Sequence, residues 1–145
     1  MPNDFTTAAT EGTIMKGYVD NIETVTVANG DFRRVLYTGH NLQLVVMSLD
    51  PGEEIGAEVH DDRDQFFRIE AGQGVISIDG VDHEVQDDDA VIVPQGARHN
   101  VRATGGAPLK LYTIYGPPEH IDGTVHRTCD DAQAAHEHFD GRTTE

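Results

Sequence analysis

The chain has 145 residues, 26 Asp and Glu against 10 Lys and Arg, and a formal net charge of −16 at pH 7. Its length fits one domain with a core that needs no covalent staples, and the single Cys129 excludes an internal disulfide or a Cys-rich zinc module. Acidity spread along the whole chain argues against a nucleic-acid surface, which needs basic patches, and against docking on an anionic membrane.

No apolar run approaches the ~20 residues needed to span a bilayer, and the N-terminus lacks the basic start and apolar core of a secretion signal. A cytoplasmic protein is expected. Within each charge the usage is lopsided, with 16 Asp to 10 Glu and 8 Arg to 2 Lys. Such a bias suits a salt-rich cytoplasm, where screening shortens self-repulsion. An ordinary acidic protein kept soluble by charge fits it equally.

Residues 1–13 are polar and aperiodic and are expected to form a flexible tail. From Ile14 the chain breaks into short apolar runs cut by Gly, Asp, Asn and Pro, the punctuation of strands. Strands are predicted at 15–19, 24–27, 33–38, 42–49, 57–60, 65–70, 75–78, 83–85, 90–93, 99–103 and 110–115. Asp79-Gly80 is a two-residue hairpin signal, and the run 42–49 is apolar on both faces, as in a strand covered on both sides. Many short strands predict an all-β sandwich or barrel over 14–117. After Gly116-Pro117-Pro118 the character changes. Residues 118–145 read as a loop and one short helix, opened by Thr128 with Asp131 three residues later, and the last five residues are expected to fray.

The chemistry gathers in two stretches. In 51–74, Glu58 and His60 stand two apart and so share a strand face, and Gln65 opens the next strand after the turn Asp61-Asp62-Arg63-Asp64. In 91–101, His99 follows a Pro94-Gln95-Gly96 turn. If neighbouring strands bring them together, Glu58, His60, Gln65 and His99 offer two imidazoles, a carboxylate and an amide oxygen. That donor set suits a divalent transition metal, and two His with one carboxylate and open positions suits non-haem Fe(II). The alternative for a Glu-x-His pair is a solvated strand edge.

These residues resemble the two motifs of the cupin superfamily. In the first, G-x5-H-x-H-x4-E-x6-G, Gly52 and Gly72 match the glycines, Glu58 stands in the first His position, His60 in the second, and Gln65 in the Glu position. In the second, G-x5-P-x-G-x2-H-x3-N, Pro94, Gly96 and His99 match, with Asp88 and Ala103 in the Gly and Asn positions. Together with the stretches at 32–39, 65–74, 109–126 and 138–145, the pattern is similar to small single-domain cupins of the type labelled mannose-6-phosphate isomerase-like. The resemblance implies a jelly-roll β-barrel holding one metal ion (Fe, Mn, Ni or Zn) and a small molecule near one mouth. It also implies a homodimer formed through N-terminal strands at 15–27.

The departures from the motif leave two outcomes open. In one, a Glu58/His60/His99 set binds metal, with Gln65 as a neutral fourth ligand or a supporting partner. In the other, the substitutions have weakened or abolished the site. Function divides in the same way. One reading is a metal-dependent enzyme on an oxygenated small molecule, of isomerase, lyase or dioxygenase type; the other is a non-catalytic binding or sensor module. No residue announces itself as a general base. His120 and His126 are candidates for a fifth ligand or proton shuttle if the tail folds over the barrel. His83, His136 and His138 read as solvated, the last two within the terminal helix. His40 reads as a turn residue, Phe66, Phe67 and Ile69 as core, and Asp87–Asp89 as a solvated turn. Arg98 is expected to point away from the site, and Cys129 to be inert.

Overall fold

A computed structural model describes residues 14–145; the expected tail at 1–13 lies outside the described residues. Ten strands and two short helices follow in chain order: α1 (Ile22–Ala28), β1 (Arg33–Thr38), β2 (Gln43–Leu49), β3 (Glu58–Val59), β4 (Asp64–Ala71), β5 (Gln73–Ile78), β6 (Val81–Gln86), β7 (Ala90–Val93), β8 (Arg98–Ala103), β9 (Leu109–Gly116), β10 (Val125–His126) and α2 (Cys129–Ala134). They form a six-stranded antiparallel sheet, ordered β10-β1-β2-β9-β4-β7, and a four-stranded one, ordered β3-β8-β5-β6. The two sheets enclose the core of a jelly roll, with Val45, Met47, Phe67, Ile69, Ile76 and Leu111 sealed from solvent. Each such side chain contributes about 1.5–3 kcal/mol of burial.

Turn chemistry sets the register where the sequence is most explicit. Asp79 and Gly80 both take positive φ and join β5 to β6, with Ile78 paired to Val81, as a two-residue hairpin demands. Gly72 has φ +89, and a Cβ there would drive into the backbone of Pro108, so the chain crossing from β4 to β5 needs a glycine at this point. On β2, Val45, Val46 and Met47 are all fully buried. One face of this strand looks into the barrel, and α1 packs on the outer side against β2, β4 and β9.

Helix α1 corrects the expected strand at 24–27. Its β-branched residues favour a strand by propensity, but the Asn21 side chain accepts from the Thr24 amide at 2.9 Å and caps a helix start. Thr26 Oγ1 donates to the Ile22 carbonyl at 2.7 Å and is fully buried. Propensity differences of a few tenths of a kcal/mol per residue yield to that packing. The expected strand at 15–19 is also absent: Gly17, at φ +64, breaks the extended run. Of the segment 15–27 expected to pair with a second copy, residues 22–27 are thus helical and 15–19 pair with no strand of the described chain.

The carboxy-terminal end is docked rather than frayed. The Thr144 amide donates to the Thr38 carbonyl at 2.9 Å, and the Thr38 amide donates to Thr144 Oγ1 at 2.8 Å. The Glu145 carboxylate accepts from the Lys16 and Gly17 amides and from Tyr37 Oη, at 3.0, 2.8 and 2.7 Å. Residues 135–145 thus form a strap across one end of the barrel. Helix α2 ends at Ala134, so His136 and His138 are exposed as expected but lie beyond the helix. Phe66 is only half-buried, on the outer face, where it pairs with Ile114 and the exposed Ile92.

Candidate metal centre

Glu58 on β3 stands in register opposite His99 on β8. His60, two residues beyond Glu58, returns to the same face, and its carbonyl accepts from the Gly96 amide at 2.8 Å, tying the two motif segments together. One donor atom from each of Glu58, His60 and His99 lies within 4.8 Å of the other two. His60 Nε2 is 4.0 Å from Glu58 Oε1, and the two imidazole centroids are 5.3 Å apart. Gln65 faces this group from β4, in the opposite sheet, beside Thr113 and Tyr115 of β9.

One hydrogen bond and one longer polar contact lie behind the two imidazoles. His99 Nδ1 is 3.3 Å from the Ala97 carbonyl, so it carries the proton and leaves the Nε2 lone pair free. His60 Nδ1 is 3.8 Å from the Glu119 carboxylate, which Arg63 holds at 2.8 Å. Supports of this kind orient metal-bound histidines. Gln65 Nε2 donates to Thr113 Oγ1 at 3.0 Å, which leaves its Oε1 free. That oxygen and His60 Nε2 are both buried without a hydrogen-bond partner. Buried polar atoms are rarely left unpaired, since each costs about 1–3 kcal/mol. The imidazole nitrogen belongs to the Glu58/His60/His99 group, and an unpaired neutral nitrogen beside a carboxylate fits a cation.

The electrostatics agree with that use. Burial, then the charges of His99 and Arg63, push His60 down to about 4, so it stays neutral and ligand-competent at pH 7. Burial raises the Glu58 carboxyl, and Arg33 and His99 oppose the shift. Burial pushes the Tyr115 phenol well above its ordinary value, so the hydroxyl beside the site keeps its proton.

All four sequence-predicted ligand residues face the barrel interior; Glu58, His60 and His99 form the tight group, and Gln65 presents its unpaired oxygen from across the barrel. His120 and His126 are buried, at 6% and 8% exposure, and neither joins that group. His120 Nδ1 is 2.8 Å from the Glu137 carboxylate and its Nε2 is 3.4 Å from Tyr115 Oη. His126 Nδ1 is 3.2 Å from Arg33 Nη1. His83, His40 and Arg98 are exposed, and burial raises the Cys129 thiol, which keeps it protonated. Three residues that shape the site had no sequence signal: Arg33, Glu119 and Glu137. A cavity of about 230 Å³ joins them to Glu58 and His120.

A jelly roll with two histidines and a carboxylate inside one mouth defines a class, and the comparisons agree. The Cupin domain family matches residues 45–115. The chain is 49% identical over 126 residues to the uncharacterized protein YrkC of Bacillus subtilis (strain 168), covering 83% of this chain and 68% of that one. It is 38% identical over 113 residues to the uncharacterized protein L612 of Acanthamoeba polyphaga mimivirus, covering 74% and 70%. The crystal structure of BH2720 from Bacillus halodurans superposes with a TM-score of 0.81 at 48% identity, covering 83% of this chain and 96% of that one. The chain belongs to the cupin superfamily.

Proposed function

We propose that this cupin is a small metal-dependent enzyme acting on an oxygenated small molecule, with one divalent transition metal held by Glu58, His60 and His99 and the Gln65 oxygen as a fourth donor. The observation that carries the reading is the Glu58/His60/His99 group, its donor atoms within 4.8 Å of one another and His60 Nε2 buried without a partner; the buried, unpartnered Gln65 Oε1 supports the fourth place. Bound there, the metal would supply Lewis-acid polarisation of a carbonyl or hydroxyl, or, as Fe(II), a site for dioxygen chemistry. The chain's own residues do the rest. Glu119 and the Ala97 carbonyl orient the imidazoles. His120 lines the cavity outside the ligand set, with Glu137 2.8 Å from its Nδ1 and Tyr115 Oη 3.4 Å from its Nε2.

The test is the metal content of purified protein and two variants. His99→Ala is expected to lose the metal, and His83→Ala, exposed on β6, to keep it. Equal metal in both variants would overturn the ligand assignment. A metal-loaded protein that turns over neither oxygenated substrates nor dioxygen would instead favour a binding module.

A further inference from the structure

Arg33 is the only buried arginine among the described residues, at 7% exposure. No ion pair among the described residues includes it, in a chain with 26 carboxylate side chains. Its Nη1 meets His126 Nδ1 at 3.2 Å, and its Nε is buried with no hydrogen-bond partner. The guanidinium lines the same 230 Å³ cavity as Glu58. Glu58 feels its charge, but no close ion pair joins the two, and a buried cation held so loosely is costly unless a ligand supplies a nearer charge.

We infer that Arg33 is the receptor for a carboxylate on the substrate, so that the cavity takes a small organic acid whose carboxylate lies on the guanidinium and whose oxygenated carbon faces Glu58. This deepens the proposed function and rests on it for the second half of that statement. Nε is sealed inside the fold, so a ligand meets the Nη edge, whose directed N–H groups fit a carboxylate more specifically than an ammonium does.

The other carboxylates at the cavity make no close pair with it. Glu119 is engaged by Arg63 at 2.8 Å, Glu137 by His120 at 2.8 Å, and Glu58 belongs to the metal group. A divalent cation on Glu58 would leave Arg33 wholly uncompensated, and the cavity would then carry excess positive charge inside an acidic protein. His126 holds the guanidinium in place. Its Nδ1 accepts from Nη1, and its Nε2 faces Glu137 at 4.0 Å. The acidic exterior is consistent with this reading: selection for an anion is made by one buried fork, not by a basic surface.

The experiment is calorimetric titration of the metal-loaded protein with glycolate and pyruvate and with their uncharged counterparts, ethylene glycol and hydroxyacetone. The acids are expected to bind at least about tenfold tighter, the scale of a charge-assisted pair. Arg33→Met is expected to remove that preference while leaving the metal content unchanged, and Arg33→Lys to recover part of it. Acids and neutral counterparts binding alike, or Arg33→Met keeping the preference, would overturn the assignment. So would inorganic phosphate binding tighter than either acid. The same comparison of charged with neutral probes on chelator-treated protein needs no variant and holds if Arg33→Met does not fold: a preference for the acids that persists without metal belongs to the guanidinium, and one that disappears with the metal would overturn the assignment. A protein that carries no metal but still prefers the acids through Arg33 would sink the metal reading and leave the anion receptor standing.

Discussion

Gln65 stands between two demands. Its amide nitrogen is satisfied by Thr113, while its oxygen is buried and unpaired. If that oxygen serves only structure, replacing it by carbon costs the Thr113 bond and relieves an unmet carbonyl, two effects of about 1 kcal/mol that oppose each other. Gln65→Leu is therefore expected to leave the melting midpoint of chelated protein nearly unchanged but to weaken metal binding about tenfold or more. Unchanged metal affinity would mean that Gln65 is not a ligand. That Glu58 and His60 share a face was legible from the two-residue period of a strand, a local rule, while Gln65 and His99 were drawn to them by the resemblance to the cupin motifs. Arg33 was not legible, because its partner His126 lies 93 residues away and the cavity between them exists only once the C-terminal segment has folded over.

Among the elements, the strap is the least predictable and the most consequential. Its contacts are single polar side chains meeting backbone amides at long range, with no period or motif to announce them. Glu145 gathers the Lys16 and Gly17 amides and Tyr37, and these hydrogen bonds hold its carboxyl below the usual range. The sign follows from linkage: a lowered folded value means that the clamp is in force above the ordinary carboxylate range and is lost as pH falls through the folded value. Glu145→Gln is expected to speed amide exchange at Lys16 and Gly17 at neutral pH, with exchange in β2 and β9 unaffected. No change at those two amides would contradict the clamp. Helix α1 carries a related lesson: its Asn21 cap was present in the sequence, but the β-branched run 24–27 outweighed it until the sheet face supplied a surface to pack on.

For the whole molecule, the charge of −16 on a 145-residue chain is a standing self-repulsion. Raising monovalent salt from about 0.1 M to about 1 M shortens the Debye length from ~10 to ~3 Å. The thermal midpoint is expected to rise over that range, and a fall would mean that attractive ion pairs outweigh the repulsion. The acidity coats a jelly roll that buries an unmet imidazole nitrogen and an unmet amide oxygen. The central claim is that a metal belongs in the Glu58/His60/His99 group. Elemental analysis of protein purified after expression with iron, manganese, nickel and zinc supplied tests it most directly. The account predicts close to one transition-metal ion per chain, removed by chelator with a loss of thermal stability. A metal-free protein whose melting midpoint ignores both chelator and added metal would contradict it.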